Sequence, residues 1–219
     1  MIQAFFKGKS SVDFYMDEDF RTSSSIGLLQ YLPDDVFWEI LRKSCCNPSF
    51  TATDFGKIDS FIFWPHNDPE NTRNTNFVEP DVWIETEKYD VIIEVKKKDN
   101  NGYYPQSMEQ WKDQIQSVIN EQKNCNYKKD IILIALGGND NMNPEKALDF
   151  PVYKASWYNL LNAIVKVRDE QKNNGAICRI LDNVIELFSY QGVMKIRWLN
   201  TLSQIEINET PIQVWKMSN

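Results

Sequence analysis

Ile131 to Leu136 is an unbroken apolar run held between Lys128-Lys129-Asp130 and Gly137-Gly138. It is far too short to cross a bilayer. It also lacks the apolar/polar alternation of a half-exposed strand, so it reads as a strand covered on both faces. The stretch before it, Pro105 to about Gln122, places Met108, Trp111, Ile115, Val118 and Ile119 at helical spacing, with the proline in the first turn. A helix leading into a doubly buried strand indicates a parallel neighbour, because parallel strands need a long crossover that is usually helical. The chain is thereby directed to an α/β fold, a mixed central sheet flanked by helices.

The strands that precede this unit read as antiparallel. Asp54 to Trp64 is expected to form a strand around a break at Gly56, with Ile58, Phe61, Ile62 and Phe63 as its body. Pro65 to Asn76, rich in Asn, Asp, Pro and Thr, reads as a mobile loop. Val78–Thr86 and Asp90–Lys97 flank a short turn at Glu87-Lys88, the spacing of a hairpin. On its second arm Ile93 and Val95 face one side, while Ile92, Glu94 and Lys96 face the other. Upstream, Pro33-Asp34-Asp35 opens a helix reaching about Cys46, its acids at the favourable end of the dipole. Phe37, Ile40 and Leu41 form its stripe with Trp38 beside them, and Glu39 sits among these apolar neighbours.

The resulting order is αβββαβ over about residues 33–136, within a single domain spanning 1–219. An extension from about residue 150 contributes helices at Ser156–Lys172 and Ala176–Tyr190, the latter closed by Gly192. Short strands are expected at Met194–Leu199, Gln204–Ile207 and Ile212–Lys216.

Composition narrows the chemistry. The lone histidine, His66, lies in a loop-like Trp64-Pro65-His66-Asn67-Asp68 stretch, which excludes histidine-cluster metal centres within one chain. Cys45, Cys46, Cys125 and Cys178 form no CxxC pair and read as reduced residues in or near the core. No signal-like run opens the chain, so the expected compartment is the cytoplasm and no membrane partner is expected. The net charge of −7 counts against a broad basic surface for nucleic acid. It does not count against a cation site, since a bound Mg²⁺ reverses the local sign. Gly8-Lys9-Ser10 lacks the first glycine of a phosphate loop, and Gly137-Gly138-Asn139-Asp140 lacks dinucleotide-binding spacing and reads as a turn.

Asp81 follows Pro80 at the start of one hairpin arm, and Glu94 and Lys96 share a face of the other. Two carboxylates beside one ammonium suit a divalent cation with a lysine near the attacked phosphate. The alternative reading is an exposed Glu94–Lys96 salt bridge and a turn aspartate after proline. Helix context strengthens the first reading. Glu39 precedes the sheet, and Gln110 and Gln114 stand four apart on the following helix.

This order, over the middle half of the chain, resembles the PD-(D/E)xK, or restriction-endonuclease-like, nuclease superfamily. The resemblance implies a mixed sheet between helices with the metal site where the hairpin opens. It implies that Asp81 and Glu94 ligate Mg²⁺ or Mn²⁺ with help from the Val95 carbonyl, and that Lys96 is the catalytic lysine. Glu39 matches the extra acid on the first helix. Gln114 matches the helical glutamine, with Gln110 nearly as good a match. Lys97 and Lys98 read equally as phosphate contacts beside the metal or as a solvated strand end. The implied activity is hydrolysis of phosphodiesters to 5′-phosphate products, with DNA favoured over RNA and a homodimer left open. The competing expectations are a catalytically inactive nucleic-acid- or protein-binding scaffold on the same fold, and a hydrolase of another phosphate substrate.

Overall fold

The computed structural model describes residues 18–46, 53–97 and 105–193. Lys98 and the three expected C-terminal strands lie outside the described residues. Eleven elements follow in the order α1 (Glu18–Leu29), α2 (Asp34–Ser44), β1 (Ile58–Phe63), β2 (Val82–Thr86), β3 (Tyr89–Val95), α3 (Met108–Asn124), β4 (Asp130–Leu136), β5 (Glu145–Ala147), β6 (Phe150–Ala155), α4 (Trp157–Glu170) and α5 (Gly175–Tyr190).

The six strands form one mixed sheet in the order β1-β2-β3-β4-β6-β5. β1, β2 and β3 pair antiparallel, whereas β3–β4 and β4–β6 are parallel. The apolar run of β4 is the doubly covered strand that its composition requires. Ile132, Ile134 and Leu136 join one core cluster, and Ile131, Leu133 and Ala135 join the other. α2, α4 and α5 cover the first face, with Phe37, Ile40, Trp157, Leu160, Leu181 and Phe188 fully or almost fully buried. α3 covers the second through Trp111, Ile115 and Val118. The hairpin follows the expected alternation, since Val91, Ile93 and Val95 belong to the first cluster and Ile92 to the second.

Several boundaries differ from expectation. β1 begins only at Ile58, because Gly56 takes a left-handed φ of +78° and its N–H bonds Asp54 Oδ1, a turn that holds residues 54–56 out of the strand. β2 begins at Val82, and Val78 instead makes an isolated bridge to Asn67. The sheet also continues past Leu136, since β6 pairs with β4 and carries β5 at its outer edge.

The Pro65–Asn76 segment is fastened to α3. Asp68 N–H donates to Glu121, Asn120 Nδ2 donates to the Asp68 and Glu70 carbonyls, and Arg73 pairs with Asp113 at 2.8 Å. These bonds satisfy several of its backbone polar groups against a helix, which holds a polar, turn-rich sequence in place.

α1 was not expected. Its buried face is Arg21, Thr22, Ser24, Ser25, Ile26 and Leu29, so it shows no apolar stripe. The buried hydroxyls are satisfied within the helix: Thr22 Oγ1 donates to the Glu18 carbonyl at 3.1 Å and Ser25 Oγ to that of Arg21 at 2.6 Å. Arg21 is spent on Lys97 and Gln191 carbonyls and lies 5.1 Å from the Trp157 ring centroid.

Candidate functional site

The C-terminal end of β3 gathers the titratable groups. Register places Val82 opposite Ile93, so Asp81, one residue further out, stands opposite Glu94 and on the same face of the sheet. Asp81 Oδ2 accepts the Val95 N–H at 2.7 Å. A strand residue presents its N–H and C=O to the same side, so the Val95 carbonyl also leans toward the Asp81 arm.

Glu94 is 1 % exposed and fully engaged. Lys96 Nζ stands 2.5 Å from Oε1 and Gln110 Nε2 donates to the same oxygen at 2.6 Å. Gln114 Nε2 donates to Oε2. The two glutamines, one turn apart on α3, thus both donate to the one carboxylate. The Gln114 Oε1 atom is buried with no protein partner among the described residues.

Glu18 completes the cluster from α1. Its Oε1 lies 3.8 Å from Lys96 Nζ and its Oε2 accepts the Lys97 N–H at 2.8 Å. The pKa of Glu18 is raised, chiefly by burial and further by Glu94 and Asp19, against the pull of Lys96 and the Lys97 N–H. Asp81 is pushed up to about 9 by burial first and the Glu94 charge second. Burial opposes the Lys96 charge, but Glu94, Glu18 and Asp81 outweigh it, so the ammonium is held more firmly than in water.

Glu39 is not brought to this cluster. Its carboxylate pairs with Lys43 one helical turn away at 2.6 Å, and Lys43 also takes Glu170 on α4 at 2.9 Å. The pair straddles the α2–α4 contact, the side of α2 that its sequence neighbours already cover. The helical acid that lies beside Lys96 is Glu18, on a helix that sequence reasoning missed. The Glu18-Asp19 pair in the first turn of α1 was the available signal. Lys97 contributes its backbone to the site, through the bonds from Arg21 and to Glu18.

Trp83 lies in the core at 7 % exposure, whereas His66 is exposed, stacked on Phe77 at 3.9 Å and paired with Glu79 at 2.9 Å. The four cysteines are free, with Cys125 exposed and Cys178 buried. No described helix is long and apolar enough to cross a membrane. A separate cleft lined by Asp34, Asp35, Trp38, Asp54 and Lys57 shares no residue with the cluster.

Comparison with known proteins adds a relative without a stated activity. The chain is 24 % identical to an uncharacterized protein, PM0110, of Pasteurella multocida (strain Pm70), over 90 % of this chain and 78 % of that one. No protein-family model matches, and no solved structure matches.

Hard oxygen donors of Asp81, Glu94 and Glu18 are the chemistry that Mg²⁺ and Mn²⁺ select. Among the described residues, no three acidic, imidazole or thiol side chains close into a ready-made metal cage. Lys96 provides the compensating charge beside Glu94, and burial together with the Glu94 charge raises the pKa of Asp81. Both are responses that a divalent cation would replace, and the unpartnered Gln114 Oε1 leaves one acceptor free beside them. By donor chemistry, Asp81, Glu94 and Glu18 are the residues that would hold such an ion.

Proposed function

We propose that this protein is a divalent-metal-dependent nuclease that hydrolyses phosphodiester bonds, with DNA as the substrate class. The observation that carries the reading is Glu94: a buried carboxylate bonded by Lys96, Gln110 and Gln114, directly opposite Asp81. A buried ion pair kept for stability also recruits amide donors to its carboxylate, but it has no need of a second acid held opposite it.

Asp81, Glu94, the Val95 carbonyl and Glu18 would hold Mg²⁺ or Mn²⁺. The chemistry such an ion supplies is charge neutralisation at the phosphate and acidification of a water. Gln110 and Gln114 fix the Glu94 carboxylate in one rotamer, so the donor is oriented before substrate arrives. Lys96, freed from compensating Glu94, presents its ammonium to the phosphate oxygens or the attacking water. The Arg21, Glu18 and Trp157 bonds to the backbone at 96–97 keep this turn from shifting under load.

A plasmid-nicking assay tests the reading. Nicking is expected with Mg²⁺ or Mn²⁺ and none with EDTA; metal-independent nicking, or none under any condition, contradicts it. The net charge of −7 favours a second reading, a binding scaffold that cuts nothing. Mn²⁺ titration separates the two, because the scaffold has no reason to bind an ion at Asp81 and Glu94.

The two acids that competed for the helix position give a sharper test. Glu39→Ala is expected to leave cleavage unchanged and cost about 0–1 kcal/mol of stability, the usual range for an exposed ion pair. Glu18→Gln is expected to lower cleavage and weaken Mn²⁺ binding. Parallel measurements of both variants check this, and equal effects would remove Glu18 from the site.

A further inference from the structure

We infer that Gly138 is a positioning residue for Lys96: the bare Cα face of this glycine carries the root of the lysine stem and sets where the ammonium arrives. The inference rests on the phosphodiester chemistry proposed above.

Gly138 follows β4 with a left-handed φ of +64°. A Cβ added to it would lie 2.6 Å from Lys96 Cβ, 2.8 Å from Lys96 Cγ and 3.3 Å from the Gln106 nitrogen. The first two separations are closer than packed carbon atoms approach. Both involve the base of the lysine side chain, which cannot swing clear as a free tip can.

Both partners are anchored by hydrogen bonds. Lys96 N–H donates to the Leu136 carbonyl at 2.8 Å, and the Lys96 carbonyl accepts the Trp157 indole N–H at 2.7 Å. On the other side the Gly138 carbonyl accepts the Gln106 N–H at 3.0 Å, and Gly137 N–H donates to the Ala155 carbonyl at 2.9 Å. Gln106 is itself fixed, since its Nε2 donates to the Glu94 carbonyl at 3.0 Å and its Oε1 accepts the Trp111 indole at 2.7 Å. Glu94, Lys96, Gly138 and Gln106 thus form a closed ring of contacts. An added Cβ at 138 meets Lys96 Cβ, which no side-chain rotation moves, so the main chain at 96 and 138 must part against these bonds and the Cγ contact turns the stem as well. That displacement carries Nζ away from Glu94 and Glu18, which now lie at 2.5 and 3.8 Å.

The test compares wild type, Gly138→Asn, Gly138→Ala and Gly192→Ala in Mg²⁺-dependent cleavage of DNA, reading kcat, KM, Mn²⁺ affinity and Tm. Asparagine tolerates left-handed backbone yet brings a Cβ, so Gly138→Asn keeps the contact argument testable where alanine impairs folding. Gly192 has a φ of +75° with nothing within 4 Å of an added Cβ, so Gly192→Ala carries the backbone strain without the contact. Both position 138 variants are expected to lose roughly 10²-fold in kcat, the cost of misplacing a catalytic group by about 1 Å. Their KM should hold and their Mn²⁺ affinity should hold or tighten, because Asp81 and Glu94 remain while the competing ammonium is displaced. Gly192→Ala is expected to lose Tm but not kcat. Wild-type kcat in Gly138→Asn, or an equal kcat loss in Gly192→Ala, overturns the inference.

A measurement free of activity separates this from the functional reading. The ¹⁵Nζ signal of Lys96 in the metal-free protein, assigned by its loss in Lys96→Arg, should shift or broaden in Gly138→Asn and stay in place in Gly192→Ala. A signal unmoved in Gly138→Asn refutes the positioning role even if the wild type cuts nothing. An inactive wild type with a displaced signal leaves the positioning role standing and refutes the nuclease.

Discussion

Lys96→Ala is expected to lower metal-dependent cleavage by on the order of 10²–10⁴-fold while leaving Mn²⁺ binding intact or tighter. The two halves of this result have one cause. In the metal-free protein the ammonium sits 2.5 Å from Glu94 Oε1 and 3.8 Å from Glu18. It therefore competes with any cation for the same carboxylates, and removing it removes the competitor along with the catalytic charge. Removal also strips the buried Glu94 carboxylate of its counter-charge, leaving only the donors of Gln110 and Gln114. Breaking a buried pair in this way costs about 3–5 kcal/mol. The variant should unfold at lower urea concentration in EDTA and recover on adding Mg²⁺, which supplies the missing positive charge. Urea melts with and without Mg²⁺, alongside the cleavage assay, check the prediction. Wild-type cleavage by the variant would sink the site assignment.

Asp81→Asn is expected to abolish cleavage and, in EDTA, to stabilise the protein increasingly as pH rises. The folded-state pKa of Asp81 is raised to about 9 by burial and by Glu94. An unfolded aspartate titrates near 3.9. Below pH ~3.9 both states hold the proton, and the stability linked to it is fully present. Between there and about pH 9 only the folded state holds it, so stability falls with rising pH, with a one-group limit of ~1.4 kcal/mol per unit. Asparagine keeps an oxygen able to accept the Val95 N–H and has no proton to lose, so this slope should disappear. Saturating Mg²⁺ should reduce it in the wild type, because a bound cation favours the ionised carboxylate. Urea unfolding at pH 5, 7 and 9 in EDTA is the measurement. Parallel stability curves for wild type and variant would show that Asp81 does not carry the proton.

The same residues show how far the chain alone can be read. The strand Ile131–Leu136, the hairpin and the face shared by Glu94 and Lys96 were all legible, because strand alternation and apolar runs are local properties. Gln110 and Gln114 were legible as a pair on one helical side, though not as joint donors to one carboxylate. α1 was hidden because Ser, Thr and Arg fill its buried face, and hydroxyls satisfied inside a helix leave no periodic signature. Glu39 misled for a related reason: an acid among apolar neighbours on a helix looked like a residue turned inward. It belongs instead to an ion pair across a helix–helix contact.

By itself, then, the order of apolar and polar residues determined strands β1 to β4, the covering helix α3 and the pairing of acid and lysine on β3, but not β5 or β6. Only the tertiary structure decided which outside groups meet that pair. Glu18 and Gly138 reach Lys96 from 78 and 42 residues away in the chain, and no local pattern encodes such a distance. Their approach depends on how α1 and the β4 turn pack against the end of β3, and packing is set by the whole folded chain.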